Sequence, residues 1–210
     1  MKQKVCIAVY VIIDPEHTKG RDVVDAALAC ARGGANMIQY RDKINDTRTL
    51  IKNTKNIKQA IEKYNIPLII NDRVDVAIAS YADGVHLGQS DMHPMDARDL
   101  LGEEKIIGLT IKSREHALEA TRLPLDYACI GGVFATSSKH NSEPPLGLHG
   151  LKELVHIMRL HAPTLPLGAI AGITLSNAKS VLAQGVDGIA LLSAITHAHD
   201  LETATREFTP

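Results

Sequence analysis

Carboxylate side chains follow two short apolar segments of the sequence, at the point where each segment ends. Asn71 and Asp72 come directly after residues 68–70, and Asp91 comes shortly after residues 84–87. Mg²⁺ typically takes one or two protein carboxylates and fills its octahedron with water and the phosphate oxygens of a substrate. The pair therefore predicts a Mg²⁺ site with Asp72 and Asp91 as ligands. The alternative is that each aspartate caps a helix, which is the commoner role for a single aspartate after a strand.

A basic cluster, Gln39-Tyr40-Arg41-Asp42-Lys43, follows another apolar segment. Because side chains alternate along an extended chain, Gln39, Arg41 and Lys43 should point to one side together. A guanidinium offers a planar fork of donors and an ammonium offers a point charge, which suits a pyrophosphate group. The alternative is a solvated, charged loop tip.

A long segment without predicted secondary structure, residues 132–147, contains Thr136-Ser137-Ser138-Lys139 and two prolines. Such long loops are uncommon in compact domains unless they cover a site. The hydroxyls and the single cation predict a flexible flap over the active site that closes on phosphate. A flexible serine-rich loop without a ligand is the alternative.

Two further segments predict a phosphate site built from backbone N–H groups. One is Ala169 to Thr174, which includes Gly172, and the other begins at Leu192 and Ser193. Both are expected to lie between a strand and the start of a helix, where backbone donors point outward. Gly172 by itself could serve only a tight turn, so the prediction depends on the two segments together.

These residues need a scaffold that brings several strand ends together. Eight short apolar runs recur along the chain, and amphipathic, helix-like segments separate them. Runs without polar alternation are typical of a parallel sheet covered on both faces. Eight such units in 210 residues, with no linker and no glycine-rich dinucleotide motif, predict an α/β protein with one domain over residues 1–210, a (β/α)₈ TIM barrel. The runs are 5–13, 37–40, 68–70, 84–87, 106–109, 127–130, 167–170 and 188–192.

Composition narrows the classes of partner. The formal net charge of −1 gives no reason to expect nucleic acid or an anionic membrane surface as a partner. No apolar stretch reaches the roughly 18 residues that span a bilayer. Cys6, Cys30 and Cys129 lie in apolar stretches, which predicts reduced core thiols in a cytoplasmic protein rather than catalytic ones. Small phosphorylated molecules are the expected partners, and the sequence leaves open whether the chain forms a homo-oligomer.

Taken in order, the motifs resemble those of the thiamine phosphate synthase family, from Tyr10 to Ile195. The resemblance rests on Q-x-R-x-K at 39–43, N-D at 71–72, D-G-V-H-L-G-Q-x-D at 83–91, the hydroxyl-rich flap ending in Lys139, and G-I-T at 172–174. It implies a Mg²⁺-dependent transferase that joins 4-amino-2-methyl-5-hydroxymethylpyrimidine pyrophosphate to 4-methyl-5-(2-hydroxyethyl)thiazole phosphate. The products are thiamine phosphate and pyrophosphate, formed by a dissociative substitution.

The resemblance also implies residue roles. The pyrimidine pyrophosphate is expected to contact Gln39, Tyr40, Arg41, Asp42, Lys43, Asn71, Thr110 and Lys139. The thiazole phosphate is expected to contact Thr136, Ser137, Ser138, Gly172, Leu192 and Ser193. Arg41, Lys43, Thr110 and Lys139 are the expected catalytic residues. One departure concerns the phosphate turn, where Ala171 replaces the first glycine of the A-I-G-G-I sequence that is usual in the family.

Two other functions remain open at this point. A thiazole tautomerase of the same barrel family would need neither metal nor pyrophosphate, which leaves the paired aspartates and the basic cluster without a role. A barrel that only binds a phosphorylated metabolite would bind without turnover. Release of pyrophosphate from the two substrates with Mg²⁺ separates both from the synthase.

Overall fold

A computed structural model describes residues 5–136 and 144–209 of the chain. Eight parallel strands close into a barrel in chain order, with β1 paired to both β2 and β8. The predicted (β/α)₈ barrel is confirmed. The strands are β1 (Val9–Ile13), β2 (Met37–Tyr40), β3 (Leu68–Asn71), β4 (Gly84–Leu87), β5 (Ile106–Ile111), β6 (Tyr127–Ile130), β7 (Leu167–Ile170) and β8 (Gly188–Leu191).

Helices surround the barrel, and several of them begin at a side chain that satisfies their first N–H groups. Asp22 accepts hydrogen bonds from the backbone N–H groups of Val24 and Asp25, and Asp46 and Ser113 cap two later helices in the same way. The helices are α1 (Val23–Arg32), α2 (Thr47–Ile61), α3 (Val74–Ser80), α4 (Pro94–Leu101), α5 (Arg114–Ala120), α6 (Gly147–His161), α7 (Leu175–Leu182), α8 (Ser193–Thr196) and α9 (Leu201–Arg206), with a 3₁₀ turn at Glu62–Tyr64.

The two faces of each strand pack into two separate cores. Alternate residues such as Tyr10, Ile12 and Tyr127 fill the barrel interior. Their neighbours, such as Val11 and Ala128, pack outward against the helices. Both faces are buried, which is why the strands carry no polar alternation.

The first strand and one cysteine differ from the predictions. The strand begins at Val9 rather than at residue 5, although Ile7 still packs in the barrel interior. Cys30 and Cys129 are buried as expected, but Cys6 is exposed, because it precedes the point at which the chain enters the sheet. In the ranges that the structure describes, no helix is both long and apolar enough to cross a membrane.

Candidate active site

A cavity opens at the carboxyl ends of the barrel strands, the end at which TIM barrels carry their chemistry. Side chains and turns from all eight strands and their following loops line it. Eight of the residues predicted from the sequence are among them: Gln39, Arg41, Asn71, Thr110, Thr136, Gly172, Leu192 and Ser193. Expected residues for both substrates therefore share one opening, whereas Lys43, Asp72 and Asp91 are not among its lining residues.

Arg41 is held at the cavity by a buried carboxylate. Its guanidinium donates to Oδ2 of Asp14, which lies directly after β1 and has no exposed surface. The other oxygen of Asp14 accepts from the backbone N–H of Glu16 at 2.9 Å. A buried charge needs a partner, so this pair fixes the direction in which Arg41 extends.

Lys43, Asp72 and Asp91 form a second charged group at the ends of β2, β3 and β4. The Lys43 ammonium donates to Oδ2 of Asp72. Asp91 accepts from the backbone N–H of Gly88 at 2.7 Å. Asp72 has a positive φ of 59°, which is uncommon for a residue other than glycine. Its backbone N–H donates to the carbonyl of His86 at 2.9 Å, which holds this turn against β4.

The two carboxylates shift each other's pKa in opposite directions. Burial by itself raises the pKa of Asp72, but hydrogen bonds involving Lys43 and Asp91 outweigh it and hold the pKa below its usual value. Burial and then the neighbouring Asp72 raise the pKa of Asp91. Two carboxylates this close favour a shared proton or a shared cation, since two adjacent negative charges repel each other.

The carboxylates of Asp72 and Asp91 therefore fit Mg²⁺ as ligands. Neither aspartate caps a helix, because α3 begins after Arg73 and α4 begins after His93. The helix-cap alternative is wrong for both residues. Two carboxylates leave most of the coordination positions of Mg²⁺ to water and phosphate oxygens, which is the usual arrangement in phosphoryl sites.

The turn after β7 forms the opposite wall of the cavity. Ala171 and Gly172 have positive φ values of 95° and 65°. The backbone N–H of Phe134 donates to the carbonyl of Ala171 at 3.1 Å, and a Cβ at Gly172 would overlap Phe134. Asn177 donates to the carbonyl of Gly172 at 3.0 Å. Glycine at 172 is thus required both for its conformation and for the close approach of the loop that follows β6.

Comparisons with known proteins agree with this geometry. A family model described as thiamine monophosphate synthase matches residues 9–195. The chain belongs to this family. The thiamine-phosphate synthase of Agrobacterium fabrum is 50% identical over 184 residues, covering 88% of this chain and 84% of the relative. That of Clostridium novyi is 42% identical and covers 94% of both chains.

A solved structure extends the similarity to the fold. The thiamine phosphate pyrophosphorylase of Pyrococcus furiosus superposes with a TM-score of 0.84 at 37% identity, covering 96% of this chain and 93% of that one. Membership of the thiamine monophosphate synthase family makes the chain a transferase of thiamine biosynthesis with a TIM-barrel fold.

Two residues expected from the family resemblance to bind substrate lie elsewhere. The Tyr40 hydroxyl donates to Asp42 at 2.6 Å and accepts from Asn53 of α2 at 3.0 Å, on the outer face of the barrel. Asp42 also accepts from the backbone N–H groups of Ile44 and Asn45. Neither side chain lines the cavity. Strand alternation turns these two side chains away from Gln39 and Arg41, and they shape the loop after β2. Their roles in substrate binding stay predictions.

Other predicted residues are not tested by the geometry. Ser137, Ser138 and Lys139 lie outside the described residues, so their roles stay predictions. The same holds for the flap over 132–147. Its described ends approach each other, because the backbone N–H groups of Leu146 and Gly147 donate to the carbonyls of Gly132 and Val133 at 2.9 Å.

The sequence analysis missed several polar residues beneath or beside the cavity. Asp14 follows a strand just as Asp72 does, so applying the same rule to β1 would have found it. Tyr10 and Tyr127 lie within apolar strands and carry no such signal. They join Gln39, His86 and Thr110 in a series of hydrogen bonds inside the barrel, which we call the interior chain.

Proposed function

We propose that the chain joins 4-amino-2-methyl-5-hydroxymethylpyrimidine pyrophosphate to 4-methyl-5-(2-hydroxyethyl)thiazole phosphate and releases pyrophosphate. Membership of the thiamine monophosphate synthase family supports this reaction. The observation that carries the proposal is the convergence of Arg41, Asn71, Thr110, Gly172 and Ser193 on one cavity. An enzyme that joins two phosphorylated molecules needs such a shared opening.

Cationic side chains bind the pyrophosphate in this proposal. Arg41 lines the cavity with its direction fixed by Asp14. Lys43 lies beside Asp72 and can contact a phosphate without leaving it, since an ammonium has three donors. Lys139, from the segment outside the described residues, supplies a third charge. Together they stabilise the negative charge that gathers on the departing group.

Asp72 and Asp91 would hold Mg²⁺ between these cations and β4. When bound there, Mg²⁺ neutralises part of the pyrophosphate charge, as it does for other phosphate groups. Asp72 directly follows Asn71, which lines the cavity, so a cation held there would lie at the edge of the same opening.

The thiazole phosphate is assigned to the turn after β7 and the start of α8. Thr136, Gly172, Leu192 and Ser193 line that side of the cavity. Backbone N–H groups at such turns favour a phosphate dianion, and barrels use this pair of loops for phosphate. Ser137 and Ser138 complete the set in the proposal, and the segment 132–147 closes over it.

The reaction requires no protein nucleophile. The bond between the pyrimidine methylene carbon and the pyrophosphate oxygen breaks, and its electron pair leaves with pyrophosphate. The aminopyrimidine ring spreads the positive charge left on the methylene, and the thiazole nitrogen then donates its lone pair to that carbon. Cys129, which also lines the cavity, does not compete as a nucleophile, because burial raises the pKa of its thiol to about 12.

We also assign the enzyme to the cytoplasm. Cys30 and Cys129 are free, buried thiols, which is usual in reducing compartments. Its partners in the proposal are the two phosphorylated substrates.

The deciding experiment incubates the protein with both substrates and Mg²⁺ and measures pyrophosphate and thiamine phosphate together. Stoichiometric formation of both, abolished when either substrate is omitted, supports the synthase. Isomerisation of a thiazole phosphate alone would favour the tautomerase. Binding of either substrate by calorimetry without turnover would favour the non-catalytic barrel.

A further inference from the structure

Five polar side chains from five strands form an unbroken series of hydrogen bonds across the barrel interior. The Gln39 amide donates to the Tyr10 hydroxyl. The Tyr10 oxygen lies 2.9 Å from the Tyr127 oxygen, which lies 2.9 Å from Nδ1 of His86. Nε2 of His86 lies 2.7 Å from Oγ1 of Thr110. Gln39 and Thr110 stand at the two ends of this interior chain, and all of its members except Tyr127 line the cavity.

The direction of each hydrogen bond follows from counting protons. A phenol has a single proton to donate. Tyr10 accepts from Gln39, and within residues 5–136 and 144–209 the Tyr127 oxygen is the remaining hydrogen-bond partner of its hydroxyl. Tyr10 therefore donates to Tyr127, and Tyr127 donates to Nδ1 of His86. Nδ1 is then an acceptor, so the ring proton resides on Nε2 and is donated to Thr110.

We propose that the interior chain fixes His86 as the Nε2-protonated tautomer and so sets a hydrogen-bond acceptor and a donor at the cavity. Gln39 uses its N–H toward Tyr10 and presents its carbonyl oxygen to the cavity. Thr110 accepts from His86 and presents its hydroxyl proton. Tyr127 is a positioning residue that acts on these two through Tyr10 and His86.

The carbonyl oxygen of Gln39 and the hydroxyl of Thr110 complement the hydrogen-bonding groups of an aminopyrimidine. An exocyclic amino group donates hydrogen bonds and a ring nitrogen accepts them, which matches a fixed acceptor and a fixed donor. This assignment rests on the proposed function, since it names how the same cavity recognises the pyrimidine. Without the interior chain, the Gln39 amide or the Thr110 hydroxyl could rotate and exchange donor for acceptor. Polar groups of a bound substrate would then be left without a hydrogen-bond partner.

Burial makes the interior chain rigid. Tyr10 and Tyr127 are each at most 1% exposed, and burial raises the pKa of both phenols, so both keep their single proton. Reversing one hydrogen bond would require reversing its neighbours as well, because each phenol has only one proton. The polarity is therefore a property of the whole series.

The neighbouring strand, β5, leaves space for Tyr127, the central residue of the interior chain. Gly108 pairs with Tyr127 in the sheet register, and a side chain at 108 would overlap the Tyr127 ring and its oxygen. The ring is thus placed by the backbone of β5 as well as by its hydrogen bonds.

The test begins with ¹⁵N-histidine NMR of the wild-type protein without substrates at neutral pH, with His86 assigned by its loss in His86→Asn. We expect a protonated Nε2 and an unprotonated Nδ1. In Tyr127→Phe, which removes one oxygen and keeps the ring, Nδ1 loses its donor, and we expect a mixture of tautomers. A wild-type His86 protonated on Nδ1 would overturn the proposal, whatever the enzyme assay shows.

Kinetics test the link to the substrate. In Tyr127→Phe we expect the KM for the pyrimidine pyrophosphate to rise about tenfold, the effect of one lost hydrogen bond, with the KM for the thiazole phosphate unchanged. Tyr64→Phe, which removes a phenol oxygen from the 3₁₀ turn at the other end of the barrel, is the matched control and should leave both values unchanged. Equal KM values for the pyrimidine substrate in wild type and Tyr127→Phe would refute the recognition role even if the tautomer is confirmed. If the protein releases no pyrophosphate at all, the proposed function fails, and the NMR result stands separately.

Discussion

The guanidinium of Arg41 donates to the carboxylate of Asp14, which has no exposed surface. The pair joins the carboxyl ends of β1 and β2 beside the cavity. Asp14 therefore determines where Arg41 can place its remaining donors for a pyrophosphate.

We predict that Asp14→Asn impairs catalysis through Arg41. The amide keeps a side-chain oxygen for the N–H of Glu16 but loses the charge that holds the guanidinium. A lost charge-assisted hydrogen bond corresponds to roughly 1.5–3 kcal/mol, so kcat/KM should fall by about 10- to 100-fold. Glu202→Gln, which removes a solvent-exposed ion pair with Arg206, should change kcat/KM little. An unaltered kcat/KM in Asp14→Asn would exclude this role.

We predict that Asp72→Ala abolishes Mg²⁺-dependent turnover while the fold survives. The substitution removes one of two carboxylate ligands and leaves Lys43 without its partner. Steady-state rates over a range of Mg²⁺ concentrations, with circular dichroism as the check on folding, measure the effect. Asp96→Ala, on the first turn of α4, is the control and should retain activity. Wild-type Mg²⁺ dependence in Asp72→Ala would show that the metal binds elsewhere.

We predict that Lys139→Ala also collapses turnover, by at least about 100-fold in kcat, because a fixed positive charge on the leaving group is lost. The alanine variant of Lys152, on α6, serves as the control for removal of a lysine. Single-turnover measurements separate chemistry from product release. A single-turnover rate in Lys139→Ala equal to that of the wild type would show that Lys139 has no role in the proposed site.

We predict that Ala171→Gly stabilises the protein. A φ of 95° strains any residue with a Cβ, by roughly 1–3 kcal/mol, whereas glycine adopts it freely. The added freedom of the unfolded chain offsets about 0.4–1 kcal/mol of that gain. The melting temperature should rise by about 2 to 4 °C. Ala183→Gly, at a φ of −62°, should lower the melting temperature. A change in the same direction for both variants would contradict the claim that Ala171 is strained.

We predict that electron-withdrawing substituents on the pyrimidine ring slow the reaction. In a dissociative substitution positive charge builds on the methylene before the thiazole nitrogen bonds to it, and such substituents destabilise that charge. The rate of a single turnover at saturating substrates reports on this step. Rates insensitive to the substituents would indicate that attack and departure are concerted.

Alternation along the strands accounts for much of what could be predicted. It directed Gln39 and Arg41 into the cavity, and the apolar runs located all eight strands. The same alternation turns Tyr40 and Asp42 outward, but the family resemblance assigned a continuous motif to the substrate. Only alternate residues of that motif share a face, so the roles of Tyr40 and Asp42 in substrate binding stay predictions.

Other features depend on contacts between distant parts of the chain. Tyr10 and Tyr127 are 117 positions apart and meet only because the barrel closes. Within an apolar strand, a tyrosine that crosses the interior cannot be distinguished from one that packs outward, as Tyr40 does. Asp14 similarly gains its role from Arg41, which reaches it from the next strand.

The missing side chain at Gly108 restricts which substitutions this barrel can accept. Since the ring of Tyr127 occupies the volume where a side chain at 108 would lie, neither position can vary independently. A larger residue on β5 would require a smaller one on β6, and that exchange would sever the link between His86 and Tyr10. A change that enlarges the cavity from inside the barrel for a bulkier substrate would therefore also free the Gln39 amide to rotate. The size of the cavity and its selectivity thus depend on the same two positions of the sheet.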